Sequence, residues 1–286
     1  MLLERVSIDK DVGFTLYSFG KGENCILIVA GMHGDEVCSV AISFELIERL
    51  KSSSIRGVVK IIPIVNEWSL KLKVHNNPID GLDINRLFPG SIEGSVSERI
   101  ANRVWKYVTE CNYVLELHCD KNSIPYILTY RIEEDFIKDF VSKIPIEIIV
   151  VSNEVRGQLF IEAVANGVSA ASIAFAGSIE YDLNDIHSYT NIILDTLANL
   201  GFIKRKEKIV SQKIYPKYLV IRADREGLLE VDKMPGNDVG EQEVIGRING
   251  FEIRSPVSGK ILMISKPTYV VVGQPIAKIA VSSSLP

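Results

Sequence analysis

The chain has 286 residues, 47% of them hydrophobic, enough to bury a sizeable core in one or two domains. It carries 32 Lys and Arg against 36 Asp and Glu, a formal charge of −4 without any run of like charge, which excludes the electrostatic footprint of a nucleic-acid or anionic-membrane partner. No apolar run reaches membrane-spanning length, and residues 1–6 lack a basic segment leading into an apolar one, so a soluble, cytoplasmic protein is expected.

In chain order, Val12, Phe14 and Leu16 alternate with small polar positions, which predicts an edge strand or hairpin. Residues 25–30 (CILIVA) form a short apolar run, read as a strand buried on both faces. Val37, Val40, Ala41, Phe44 and Ile47 then recur at helical spacing through Leu50. Residues 58–66 predict a second buried strand, with Pro63 hinting at an edge or bulge. Strand, helix and strand at this spacing make a βαβ unit with parallel neighbours. Residues 66–90 lack strong periodicity and predict a long irregular loop, a feature of functional segments.

Ser95 or Ser97 with Glu98 is a cap signal for a helix through Val108, which leads into a third buried strand over residues 113–118. Strands are expected over 124–130, 146–151 and 170–176, and helices over 133–144, 158–166 and 184–200. Beyond about residue 207 the composition shifts to short β runs punctuated by glycine, the pattern of a small all-β module. The division predicted is 1–206 and 207–286. Lys260 follows a Ser-Gly turn and begins a strand, a poor setting for a covalently attached carrier cofactor.

The chemistry gathers at two strand ends. His33 and Glu36 sit three positions apart on a turn tightened by Gly31 and Gly34, between a strand and a helix, and His118 stands where the third buried strand stops. Two imidazoles and a carboxylate suit zinc, which takes three protein ligands in catalytic sites and keeps one position open. Taken singly, His33 reads as a turn residue and His118 as a satisfied histidine; together with Glu36 they point to one metal ion per chain. Arg86, in the long loop, has the planar guanidinium that clamps a carboxylate bidentately, unless it pairs with Asp83 or Glu93. Cys25, Cys38, Cys111 and Cys119 form no CxxC pair and are expected as free thiols of a reducing compartment.

Residues 33–36 (HGDE), 83–90 (DINRLFPG) and 117–118 (LH) resemble, in that order, the signatures of the succinylglutamate desuccinylase and aspartoacylase family, within the wider group of zinc carboxypeptidases. The resemblance covers nearly the whole chain. It implies an α/β, zinc carboxypeptidase-like domain with a mainly parallel mixed sheet flanked by helices, and a small C-terminal all-β domain. It implies His33, Glu36 and His118 as Zn2+ ligands, with Asn85 and Arg86 binding the carboxylate of a small N-acyl amino acid or a peptide C-terminus. The activity implied is amide hydrolysis: removal of an acyl group or, as the alternative, carboxypeptidase cleavage of peptide or cell-wall fragments.

Two departures from the family stand out. Its general-base glutamate, which takes a proton from water and passes it to the leaving amine, falls on Ala174 in residues 167–177 (GVSAASIAFAG), at a position expected to face the cleft, and Ala176 stands where the family usually has glycine. Three explanations are open: an engineered Glu-to-Ala change, a natural non-catalytic zinc-binding relative, or Glu180 serving as the base. The family also places an arginine before the Asn-Arg pair to hold a second carboxylate, where this chain offers Lys73 or His75; Arg156 and Tyr181 are weaker candidates, and His187 reads as structural. How copies assemble is not written in these residues, and a homo-oligomer stays open.

Overall fold

Every residue of the CILIV run, Cys25–Val29, is buried, and a nine-stranded sheet is laid out on either side of it. The computed structural model describes residues 1–153 and 155–282. Chain order runs β1 (Leu2–Asp9), β2 (Val12–Lys21), β3 (Cys25–Val29), α1 (Val37–Leu50), β4 (Gly57–Ile62), α2 (Glu67–Leu72), α3 (Val96–Val108), β5 (Tyr113–Asp120), β6 (Tyr126–Thr129), α4 (Asp135–Ser142), β7 (Ile148–Val151), α5 (Leu159–Ala165), β8 (Ser169–Ala176), α6 (Leu183–Asn199) and β9 (Lys213–Tyr215). In the sheet the order is β1-β2-β4-β3-β5-β8-β6-β7-β9. Five of its eight neighbouring pairs are parallel, so the sheet is mixed but mainly parallel, as expected.

Local chemistry accounts for the elements around the site. Ser95 starts α3 with a full capping box, its hydroxyl accepting from the Glu98 N–H while the Glu98 carboxylate accepts from the Ser95 N–H, an arrangement worth about 1 kcal/mol. Asn66 caps α2 in the same sense, accepting from the Ser69 N–H at 3.1 Å. That six-residue helix lies inside the segment expected to be irregular, being too short to register as a helical period. Pro63 marks neither an edge nor a bulge: β4 ends at Ile62, between β2 and β3 inside the sheet.

The cysteine expectation is overturned. Cys25 is joined to Cys111 and Cys38 to Cys119, across 86 and 81 residues. β3 and β5 are parallel neighbours, so residues distant in sequence meet at matching ends, and no local spacing announces the pairs.

Two four-stranded sheets build the C-terminal module. One has the order β10 (Tyr218–Arg222), β17 (Pro275–Val281), β15 (Gly259–Ile264), β12 (Asp238–Val239); the other has β14 (Phe251–Arg254), β13 (Val244–Ile248), β11 (Gly227–Val231), β16 (Thr268–Val270). The segment just past residue 206 still belongs to the large sheet, because β9 pairs with β7; the change of sheet comes after Tyr215. The module sits against the large sheet through a buried cluster of Tyr126, Val150, Ala174, Tyr215, Leu262 and Ala280. It is stitched there by Ile124 N–H to Leu262 O at 3.0 Å and by the Asn122 amide to Ile264 O at 2.7 Å.

Candidate metal centre

β3 and β5 run parallel with Val29 opposite Glu116, so the turn after β3 and the end of β5 emerge side by side at the carboxyl edge of the sheet, where open α/β sheets bind ligands. The turn is shaped by close backbone approach. Gly34 N–H donates to Val74 O at 2.9 Å, and a Cβ on Gly34 would lie 1.9 Å from Ser69 O, so only glycine admits the 69–74 segment. The Ser39 hydroxyl donates to Glu36 O at 2.8 Å and secures the start of α1.

His33, Glu36 and His118 converge. One Glu36 oxygen lies 2.8 Å from His33 Nδ1, and the other lies 2.8 Å from His118 Nδ1 and accepts the Cys119 N–H at 3.1 Å. The three side chains each offer a ligand atom within 4.8 Å of the others. Both outer ring nitrogens meet carboxylates: His33 Nε2 is 3.0 Å from Asp83, and His118 Nε2 is 2.6 Å from Glu116. Metal-ligating histidines give their second N–H to such acceptors, which fixes tautomer and ring orientation. The donor set and its outer partners therefore fit zinc.

The charges reinforce one another. Burial by itself lowers the pKa of an imidazole, yet for His33 the carboxylates of Glu36 and Asp83 outweigh it and push the group up to about 9. His118 is raised well above its ordinary value, burial being overcome by Glu36 and Glu116. Burial would raise the Glu36 carboxyl, but the two imidazoles hold it well below the usual carboxylate range. Against the same opposition His33 and Arg86 bring Asp83 down to about 2.

The remaining expected residues scatter. Asn85 is buried and faces inward, not toward an open cleft: its amide nitrogen donates to Glu116 at 2.5 Å and lies 3.3 Å from His118 Nε2, and its oxygen accepts the Leu159 N–H at 2.9 Å. The geometry makes it a strut for Glu116 and His118. Arg86 is half exposed, with Nη1 3.6 Å from Asp83. Arg156 grips Glu162 with two contacts, at 2.6 and 2.7 Å. His187 is exposed, 2.7 Å from Glu45. Lys73 ends α2 in a left-handed conformation. His75 is the one alternative drawn to the centre: it stacks on His33 and has Nδ1 3.1 Å from Asp35.

Ala174 stands opposite His118 in the β5–β8 register and opposite Tyr126 in the β6–β8 register. It therefore shares the sheet face of His118, as alternation predicts. The expected outlook onto the cleft is absent, because Ala174 packs among Tyr126, Leu262 and Ala280 of the buried cluster under the C-terminal module. Glu180 is exposed on the loop after β8 and lines a cleft of about 850 Å³ with Ala176, Gly177, Lys121 and Lys266.

Sequence reasoning missed Asp83 and Glu116 as partners of the histidines, and the network of Asp120, Tyr126 and Lys278. A signal existed for Glu116: a carboxylate two residues before His118 on a buried strand lies on the same face and needs a partner. Lys278 Nζ donates to Asp120 at 2.6 Å and to the Tyr126 hydroxyl at 2.7 Å, and that hydroxyl also donates to Asp120. Burial, then the neighbouring Asp120 charge, holds the Tyr126 phenol well above its ordinary pKa.

The pattern of the succinylglutamate desuccinylase/aspartoacylase catalytic domain matches residues 23–198. An N-alpha-acetyl-L-2,4-diaminobutyric acid deacetylase from Halomonas elongata is 32% identical over 114 residues, 40% of this chain and 33% of that protein; the match thus spans only about a third of the relative's length. Among solved structures, an aspartoacylase family protein from Mesorhizobium loti superposes with a TM-score of 0.82 at 21% identity, over 99% of this chain and 95% of that one. The product-bound ectoine utilization protein EutE (DoeB) from Ruegeria pomeroyi gives 0.84 at 17% identity over 98% and 95%. A succinylglutamate desuccinylase from Silicibacter gives 0.83 at 18% identity over 94% and 89%. At these identities the structural likeness is one of fold.

Proposed function

The chain belongs to the succinylglutamate desuccinylase/aspartoacylase family, and from that premise we propose that it is a zinc-dependent amide hydrolase, releasing an acyl group from a small N-acyl amino acid. The observation that carries the reading is the convergence of His33, Glu36 and His118 with a carboxylate behind each imidazole. A zinc ion held by these three residues supplies a Lewis acid for the scissile carbonyl and a water of lowered pKa.

The chain's own residues divide the remaining tasks. Asp83 and Glu116 hold the imidazoles in orientation, and Asn85 braces Glu116. Arg86, half exposed beside Asp83, receives the substrate carboxylate. Since position 174 carries no carboxylate, proton transfer is assigned to Glu180, exposed on the loop that follows β8. The reading includes a division into a catalytic domain and a C-terminal β domain, moved from residue 206 to just past Tyr215. It also keeps a cytoplasmic setting, where the burial of both cystines slows their reduction.

A second reading, a zinc-binding relative without catalysis, is favoured by one observation, the apolar packing of Ala174. Elemental analysis of the purified chain beside His118→Ala, followed by a panel of N-acetyl and N-succinyl amino acids and dipeptides, separates the cases. Bound zinc lost in the variant, together with hydrolysis of an N-acyl amino acid that Glu180→Gln lowers about a hundredfold or more, supports the first. Zinc without hydrolysis of any substrate selects the second, and the absence of zinc uptake rejects both.

A further inference from the structure

Behind the three converging side chains lies a covalent link that the proposed reaction does not use. Cys38 follows Glu36 by two residues, Cys119 follows His118 by one, and the two sulfurs are bonded. Strand alternation turns Cys119 away from His118, toward the opposite sheet face. The bond therefore fastens the end of β5 to the first turn of α1 from the rear of the site. Backbone contacts extend the fastening: Cys119 N–H donates to Glu36 at 3.1 Å, and Cys38 N–H donates to Ser178 O at 3.0 Å. The end of β8 is moulded around the sulfurs as well. Gly177 adopts φ +144°, and a Cβ there would come within 2.7 Å of Cys38 Sγ. The other cystine, Cys25–Cys111, sits at the start of β3 and just ahead of β5, the far end of the same strand pair.

We propose that Cys38–Cys119 is a thiol–disulfide exchange site that sets the metal affinity of the centre. This rests on the reading of His33, Glu36 and His118 as zinc ligands. Oxidised, the pair holds Glu36 between the two imidazoles; reduced, it lets the first turn of α1 and the end of β5 separate, and the ligands lose their common focus. The co-reactant is a dithiol. Its thiolate attacks one sulfur of the cystine, forming a mixed disulfide and releasing one cysteine thiolate; its second thiol then displaces the other cysteine. Two electrons and two protons pass to the pair, and the reductant leaves as a cyclic disulfide. Cys38 is fully buried and Cys119 nearly so, so exchange is slow and suits a small dithiol better than a protein one.

The test is zinc affinity, measured by competition with a chromophoric chelator. It compares the air-oxidised chain, the same chain after dithiothreitol treatment and anaerobic removal of the reagent, and the double variants Cys38→Ser/Cys119→Ser and Cys25→Ser/Cys111→Ser. Reduction and the Cys38/Cys119 variant are expected to weaken zinc binding about 10- to 100-fold, the range for losing a group that orients a ligand, while the Cys25/Cys111 variant keeps the oxidised value. If the Cys38/Cys119 variant fails to fold, the reduced wild-type chain, its fold checked by circular dichroism, carries the comparison. Equal affinity before and after reduction overturns the proposal and leaves the hydrolase reading standing, as does non-reducing peptide mapping that finds Cys38 and Cys119 as thiols. Failure of every form to bind zinc overturns both.

Discussion

His75 lies flat on His33, with ring centroids 3.8 Å apart and planes 13° from parallel. His33 is thus held on three sides, by Glu36 at Nδ1, by Asp83 at Nε2 and by His75 across its face. His75→Ala should weaken zinc binding about tenfold through loss of orientation, while His75→Phe, which keeps a flat surface, should bind like the wild type. Chelator competition decides, and equal losses in both variants would mean that polar contacts, not stacking, carry the effect.

Asp83→Asn tests the outer partner of His33. The amide can still accept the Nε2 proton but carries no charge, so zinc affinity should fall about 10-fold. Circular dichroism should be unaltered, since Asp83 belongs to no strand or helix and the amide oxygen can still accept the Asn85 N–H. Unchanged affinity would remove Asp83 from the centre.

Ala174→Glu sets the two functional readings against each other. In the observed packing the new carboxylate enters the cluster of Tyr126, Leu262 and Ala280, and urea unfolding should show a loss of about 3 kcal/mol or more. Undiminished stability would mean that the side chain reaches the cleft instead. In that event amide hydrolysis should rise by orders of magnitude if the remaining machinery is complete.

The metal-free chain should lose stability as pH rises. His33 titrates at about 9 when folded, above its ordinary 6.5. A raised folded value means that its contribution is fully present below pH 6.5 and is lost as pH climbs through about 9. His118 is displaced in the same direction. Thermal unfolding in chelator, followed from about pH 6 to about pH 10, should show a falling Tm that flattens in His33→Gln. Zinc must reverse the trend, because it binds neutral imidazole and its stabilisation grows as protons leave. A flat profile in the metal-free wild type would contradict the charge network.

Much of this centre is legible in the residues. The buried runs that end at the turn before His33 and at His118 are continuous apolar strands, and α1 follows from the spacing of Val37 through Leu50, so the meeting of His33, Glu36 and His118 is a matter of sheet topology. What escapes is whatever depends on contacts distant in sequence. The two cystines join positions 81 and 86 residues apart, and Lys278 meets Asp120 across 158. Asn85 and Arg86, adjacent in sequence, part company because the tight turn over residues 84–86 sends one amide inward and one guanidinium outward. Position 174 is misjudged for a related reason: alternation gives the face of a strand correctly but cannot say that Leu262 and Ala280, far along the chain, will cover it.

The Lys278–Asp120 contact also carries a temporal order. Its loop spans 158 residues, and β17, which bears Lys278, is a central strand of its own sheet, between β10 and β15. Contacts of such separation form after the local ones that position their two ends. The strand that leads to His33 and the strand that bears His118 belong to the N-terminal sheet, and the roof over Tyr126 and Ala174 comes from the C-terminal strands. In that order the central sheet closes first, and the face of Tyr126 and Ala174 stays open to solvent until the C-terminal module settles over it.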